Sequence, residues 1–590
     1  MCRSMMMRGL VCSVFSLMVM GVECVSDVGS SGGSDTGSVD DSGKTGDTEN
    51  QQGAGHESTG DYTWDSSEVT FITCEGSSAV VHGAGATAVG GVITITSAGT
   101  YSVKGSLTDG QIIVNADSSS LVRLVLNGVS IRGSARAPVH VLRADKVVIM
   151  LADQTSNLIE GGTTYVQQGT TTDEPNAAIF SMTDLSISGN GSLSVTGDYG
   201  DGITSKDGLI IAGGTISVNT IDDGIRGKDY LILRNSTVDV VCGGDGLKSD
   251  NTADAALGFI TVQSGLLHVT CGGDAITAET EVHMAGGNVV LSSGGGSTAT
   301  ISSTLSAKGI KAGVNVVIDG GTCSINSAED AVHSDDSMTI NGGTFTVSAK
   351  DDAFRAEAVL IINDGVINVT KCYEGIESKA ITINGGSIQI VASDDAINGA
   401  GGVDGSGYAR WPGKPMQTGN ASLSIHGGHV AVYSTGDGID VNGAIVMTGG
   451  TVIIHGPTSN NEGAIDYDSS FNISGGTLVA AGSAGMAQAP STTSTQRSVH
   501  LKYQSARPAG TIINIQRSGS NLLTFAPTKT YRSVAFSSPA LVQASGYGVY
   551  RGGSSTGTVK NGLYSGGVYT GSLSSTFSIQ NVVTNVNNLP

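Results

Sequence analysis

Acidic residues recur along this chain at a nearly fixed interval. Asp201, Asp223 and Asp245 are 22 residues apart, and Asp330, Asp352 and Glu374 repeat that step. Asp274, Asp395, Asp437 and Glu462 extend the series after steps of 29, 21, 42 and 25. Several are doubled, as in Asp222-Asp223, Asp351-Asp352 and Asp394-Asp395. Carboxylates brought together in this way need a remedy for their repulsion: splaying into water, pairing with cations, or sharing a metal. Calcium takes six to eight oxygen ligands in a flexible arrangement, and carboxylates with turn carbonyls supply them. The candidate ligands are Asp201, Asp222, Asp223, Asp245, Asp330, Asp351, Asp352, Asp394 and Asp395. The competing reading is a solvated acidic stripe neutralised by Lys206, Arg226, Lys228 and Lys248.

Those lysines raise a second chemistry. A base beside calcium is the equipment for β-elimination on a uronate, in which the metal acidifies the C5 proton and Lys206, Lys228 or Lys248 removes it. Charge compensation is the plainer role for the same residues. His140, His268, His283, His333 and His426 show no ligand spacing with cysteine or with each other, which argues against a transition metal. No Ser/His/Asp triad, phosphate-binding loop or metalloprotease motif is present.

A repeated acid needs a repeated element to carry it. A second marker runs in phase with the acids: Gly-Gly at 213, 286, 320, 342, 385, 427, 449 and 475. Apolar residues alternate with period two on both sides, as in MTINGGTFTV and ITINGGSIQI. Two strands flank each Gly-Gly turn and the DGI segment supplies a third. Three strands and three turns in about 22 residues make one coil of a parallel β-helix. Stacked coils are separated by about 4.8 Å, so equivalent acids would repel by about 0.9 kcal/mol even in bulk water.

Departures from the period mark excursions, at Ser293–Ala307 and Asn398–Ser422. The second carries Tyr408, Arg410, Trp411 and Lys414. Its aromatics could stack on sugar faces and its cations pair with uronate carboxylates, or Trp411 packs on the solenoid. Beyond about Gly485 the repeat stops.

Composition supports an elongated all-β chain: Gly is 87 of 590 residues, and no long amphipathic-helix pattern occurs. The formal net charge of −22 argues against nucleic acid and anionic membranes as partners. Arg3 and Arg8 precede an apolar run over Gly9–Val22, the pattern of an export signal, and Cys24 is a candidate for lipid modification. The organisation expected is a leader over 1–24, a linker over 25–62, a β-helix over 63–485 and a small β-rich region over 486–590. Five cysteines lie beyond the leader; Cys242 and Cys271 are expected to stack, as a disulfide or as buried thiols.

The motifs LVLNGVSI, DEPNAAIFS, DGITSKDGLIIAGGT, DDGIRGKD, GGDGLKSDN and GPTSNNEGAIDYD occur in order. With them the chain resembles the bacterial parallel β-helix carbohydrate-binding proteins of the clostridial cellulose- and pectin-binding type. That resemblance implies a right-handed parallel β-helix similar to family 9 pectate lyases, with calcium held by aspartates of adjacent coils. It also implies binding of acidic pectic polymers and cellulose without lyase activity. Lys308 stands where the repeat would place an acid, so separate metal sites are expected on either side of it. The functional expectation is an exported, monomeric, non-catalytic polysaccharide binder, with a calcium-dependent lyase and a structural adhesin as alternatives. Contact with a membrane is expected only through an N-terminal lipid anchor.

Overall fold

The computed structural model describes residues 57, 58, 60–166, 174–400 and 420–590. The expected leader and most of the linker lie outside these residues, and residues 57–590 form one compact unit. The fold is all-β. Of the 53 strands among the described residues, 47 belong to one hydrogen-bonded network and six form a separate antiparallel sheet.

Parallel pairing dominates the large network, and through most of it each strand pairs with the third strand after it. The chain thus visits three faces in turn. On the first face, Ile203, Ile225, Leu247, Ile276, Ile310, Val332, Phe354, Ile376 and Ile397 lie in one register row. On the second, the row runs Leu209, Leu231, Ile260, Val282, Val316, Met338, Leu360 and Ile381. On the third it runs Val195, Val218, Val240, Val269, Leu291, Ile325, Val347, Val369 and Ile390. All of these side chains are buried and belong to one continuous core. The alternating sequence dictates this, because successive side chains of a strand point to opposite faces.

The second glycine of each Gly-Gly pair sits at positive φ, for example +81° at Gly428, where a Cβ would lie 2.6 Å from the Gly385 carbonyl oxygen. A left-handed turn and close contact with the preceding coil both select glycine there.

Register survives the insertions. Ile276 pairs directly with Ile310, so the residues between Ser293 and Ile310 leave the stack and return without shifting it. The step of 29 between Asp245 and Asp274 has a similar cause: nine residues separate the strands Leu247–Ser249 and Phe259–Val262, against two between Ile225–Gly227 and Tyr230–Leu233.

Both ends of the network change from parallel to antiparallel pairing. At the start, Val69–Gly76 pairs antiparallel with Ser78–His82. At the finish, Thr477–Gly482 pairs antiparallel with Tyr531–Ser537, so the edge is occupied rather than left as a template for aggregation. Past position 485, Ser498–Arg507, Tyr531–Ser537 and Val583–Leu589 join the large network, while the six-stranded sheet uses strands between Ile513 and Ile579. This region covers the outer side of the third face over its last coils. The outward residues Ala431, Ile453 and Val479 are apolar there and form a second core with Leu523, Phe525 and Phe536. The equivalent positions in earlier coils are polar, as at Ser324, Thr346 and Asn368.

Cys242 and Cys271 are direct register partners, and both are buried free thiols. Their Sγ atoms donate to turn carbonyls, Cys242 to Asp245 O at 3.3 Å and Cys271 to Gly273 O at 3.1 Å.

Candidate functional site

The repeated acid sits in the turn that leads from the third face into the first. Its carboxylate has a use that the sequence reading did not foresee. Asp223 Oδ1 accepts the backbone N–H of Asp245 at 2.8 Å, and Asp245 Oδ1 accepts that of Asp274 at 2.9 Å. Asp274 Oδ1 accepts from Lys308 N at 2.7 Å and Asp330 Oδ1 from Asp352 N at 3.1 Å. Asp395 and Asp437 likewise accept from Asp437 N and Gly463 N. Each of these six acids therefore satisfies an amide of the next coil, one that the turn leaves outside the sheet ladder.

A second row governs the charge. The residue three positions after the acid lies on the adjoining first-face strand, and in several coils it leans back toward the acid. Thr204 donates to Asp201 at 2.9 Å, Lys248 Nζ lies 2.8 Å from Asp245 and 3.0 Å from Asp223, and His333 Nδ1 lies 2.8 Å from Asp330. Arg355 lies 3.4 Å from Asp352 and 3.0 Å from Glu377. The positive charge of Lys308 reaches forward, 2.6 Å from Glu329 and 3.6 Å from Asp330. Arg226 pairs instead with Asp250, at 2.7 Å, and Lys206 with Glu174 at 2.5 Å.

After Arg355 this row changes character. Its next members, in register, are Glu377, Asn398, Asp440 and Asp466. The acids before them, Glu374, Asp395 and Asp437, have no cation three residues on. Among the described residues no ion pair reaches Asp395, Asp437 or Asp466. Burial, and then the neighbouring Asp437, pushes Asp395 up to about 9. Burial, opposed by the Gly463 amide and reinforced by Asp440, leaves Asp437 at about 7. Asp201 rises to about 6 through burial and the charge of Asp223. Asp330 behaves oppositely: burial would raise it, but His333 and Lys308 hold it down to about 2.

Three groups of carboxylates have one ligand atom each within 4.8 Å of the others: Asp330, Asp351 and Asp352; Asp352, Glu374 and Glu377; Asp437, Asp440 and Asp466. The first contains three of the sequence-derived ligands. Asp201, Asp222, Asp223 and Asp245 occupy consecutive coils as expected, but Lys248 stands between Asp223 and Asp245. Asp394 and Asp395 lie beside Asp437, whose backbone amide Asp395 accepts. Glu374, Glu377, Asp437, Asp440 and Asp466 were not among the sequence-derived ligands; Glu374 and Asp437 belong to the repeated acids, and for Glu377 and Asp440 the signal was their place three residues after one of them. Tyr408, Arg410, Trp411 and Lys414 lie outside the described residues.

In the third group the donors fit a hard cation: carboxylates only, on successive coils. Asn398, which lies in register between Glu377 and Asp440, is 2 % exposed. Its Nδ2 donates to Glu374 Oε2 at 2.8 Å, while its Oδ1 has no hydrogen-bond partner among the described residues. A buried oxygen without a partner is costly in a finished structure.

Farther back, a cleft of about 810 Å³ opens over Asp222, Asp223 and Asp245, between the 250–255 and 305–306 segments. Eight carboxylates line it, among them Asp222, Asp223, Asp245 and Asp274, against Lys248 and Lys311.

The sequence model of the carbohydrate-binding domain-containing protein family matches residues 89–353 and 338–407, more than half of the chain, and the chain belongs to that family. A curated carbohydrate-binding domain-containing protein from Acetivibrio thermocellus is 37 % identical over 126 residues, 21 % of this chain and 44 % of the relative. The chain thus spans under half the length of the curated relative it matches. A solved structure, described as a polysaccharide lyase-like protein from C. thermocellum in a gadolinium derivative, aligns with a TM-score of 0.39 and 28 % identity. That alignment covers 42 % of this chain and 96 % of the other.

Proposed function

We propose that this protein is an exported, non-catalytic binder of acidic polysaccharide. In this reading it is a right-handed parallel β-helix solenoid whose acidic flank is completed by calcium. The carrying observation is the change along the first-face row, where cations pair with the acids as far as Arg355 and, among the described residues, none does so at Asp395, Asp437 or Asp466. Calcium would be held by Asp437, Asp440 and Asp466, and a second ion by Glu374 and Glu377 with the free Oδ1 of Asn398 nearby. When bound, calcium supplies positive charge that carboxylates of both protein and polymer can share, which lets a chain of net charge −22 hold a pectin-like polyanion. Family membership supports a polysaccharide as the partner. Cellulose stands as a further ligand on the same reading, with the chain acting as a monomer.

The lyase alternative needs a neutral lysine. Lys248 is the wrong group for that role: burial would lower its pKa, but Asp245 and Asp223 overcome it and raise the value, holding the ammonium protonated. Lys206 is similarly engaged by Glu174. A pull-down on polygalacturonate, cellulose and a neutral glucan, with and without a chelator, tests the proposal. Calcium-dependent retention on polygalacturonate with no unsaturated product is the expected outcome. Accumulation of product absorbing in the ultraviolet would establish the lyase instead.

A further inference from the structure

Besides their shared apolar core, the six-stranded C-terminal sheet meets the third face through a cluster of hydrogen bonds at one residue. Asn561, at φ +49°, lies in the turn between Thr558–Lys560 and Leu563–Ser565. Its Nδ2 donates to Gln389 Oε1 at 2.8 Å and to the Tyr433 hydroxyl at 3.0 Å. Its Oδ1 therefore accepts, from His429 Nε2 at 3.0 Å, and its backbone oxygen accepts from His455 Nε2 at 3.1 Å. His455 is buried, stacks on Tyr433 at 4.6 Å, and accepts the Thr528 N–H at Nδ1.

Beside this cluster a cavity of about 370 Å³ opens between the two sheets. Its size lies within the range of roughly 300–1,000 Å³ usual for small-ligand sites. Its chemistry is the reverse of the acidic cleft. None of its lining residues is a carboxylate, although the chain carries 52 of them. Lys560 and His429 contribute the basic groups, Tyr564 an aromatic ring, and Thr451, Thr477 and Ser565 hydroxyls, over an apolar floor that includes Phe536. Among the described residues no carboxylate pairs with Lys560, whose Nζ has Ser387 Oγ at 3.5 Å. A lysine without an acid, next to hydroxyls and a ring, matches a sugar with an apolar face, a hydroxyl rim and one negative charge.

We propose that this pocket binds one carboxylate-bearing sugar residue directly, without a metal: Lys560 pairs with the carboxylate, Tyr564 offers its ring to the sugar face, and the threonines bond the hydroxyls. The inference rests on the carbohydrate-binding reading but concerns a separate site, beyond residue 407 where the family match ends. A bound polymer would then be held at two points by opposite means, calcium on the acidic flank and a lysine on the C-terminal side.

The test is calorimetric titration of trigalacturonate, with cellotriose as the neutral control, into the full-length protein. Calcium-loaded and chelated samples are compared, and a thermal melt confirms that the chelated protein is folded. Chelated wild type is expected to bind trigalacturonate, roughly tenfold or more tightly than cellotriose. K560Q is expected to lose roughly tenfold of that affinity, and Y564A to weaken it as well, with unchanged melting. Lys560 is exposed, so its replacement leaves the fold intact. Equal binding by K560Q and wild type overturns the proposal, as does absence of binding by chelated, folded wild type. Binding seen only with calcium sinks this pocket and leaves the calcium reading standing. Chelator-resistant binding that K560Q abolishes, with no added effect of calcium, does the opposite.

Discussion

Arg355 is the last cation of the first-face row, and two buried acids depend on it. It lies within 3.4 Å of Asp352 and 3.0 Å of Glu377, which are only 2 % and 3 % exposed. Removing one partner of a buried pair leaves the other charge uncompensated, at a cost of about 3–5 kcal/mol. Arg355→Met should therefore lower the urea midpoint by a corresponding amount, and millimolar calcium should recover part of the loss. An unchanged midpoint would show that Asp352 and Glu377 need no counter-charge. The acids further along imply a pH dependence. Asp201, Asp437 and Asp395 have folded values of about 6, 7 and 9, above the ordinary range near 4. Their contribution to stability is present below about pH 4 and is lost as pH rises through the folded values. Asp330, at about 2, works in the other direction only in strong acid. The metal-free protein should thus melt at progressively lower temperature between about pH 5 and pH 9, and calcium should flatten that slope. A melting temperature that rises over this range in the metal-free protein contradicts the assignment.

At the scale of the coil, the turn acids separate two roles that the sequence superimposes. Asp223 both bonds an amide through Oδ1 and faces Lys248 through Oδ2. Asp223→Asn keeps the amide acceptor, whereas Asp223→Ala leaves the Asp245 N–H unpaired in a part-buried turn. The alanine variant should be the less stable of the two by about 1–3 kcal/mol in chemical denaturation. Equal losses would mean that charge, not capping, is what the position supplies. The first strap of the fold behaves similarly. Asp61, buried, meets Lys146 Nζ at 3.0 Å, while Arg234 holds Glu57 and Arg123 holds the Asp61 and Gly60 carbonyls. These links fasten Glu57 and residues 60–62, with Tyr62 as the apolar cover against Val125, Val148 and Met150. Lys146→Met should lower stability by about 1–3 kcal/mol and expose the segment to protease.

For the whole molecule, the proposed calcium sites make stability and ligand binding depend on the same acids. A cation that binds only the folded state adds stability by mass action, about 2.7 kcal/mol at a hundredfold excess over Kd. Chelation should accordingly lower the melting temperature and, in the same concentration range, release a bound polygalacturonate. Asp440→Asn should do both in part without chelator, since Asp440 has no part in the turn amide bonds given above. A melting temperature indifferent to calcium, in wild type and variant alike, removes the metal from the account. Much of this was legible beforehand. The 22-residue step, the Gly-Gly turns and the alternating strands predicted the parallel stacking, and the excursion over Ser293–Ala307 falls where the register requires it. Even the covered end of the third face was written in outward residues, with Ala431, Ile453 and Val479 in place of Ser, Thr and Asn.

What the sequence determined by itself is everything that recurs: period two makes strands, glycine at positive φ makes turns, and one acid per coil makes a row. Periodicity is a local property of the chain, so it can be read locally. Only the tertiary structure decided what each acid in the row does. Whether a carboxylate caps an amide, meets a lysine or joins two others depends on the residue three places on and on its register partner 21 to 42 positions away. The pocket under Lys560 lies further still from sequence reasoning. It exists because a hairpin near residue 561 folds back onto coils around residues 389 and 433, a contact across more than a hundred residues that no repeat encodes.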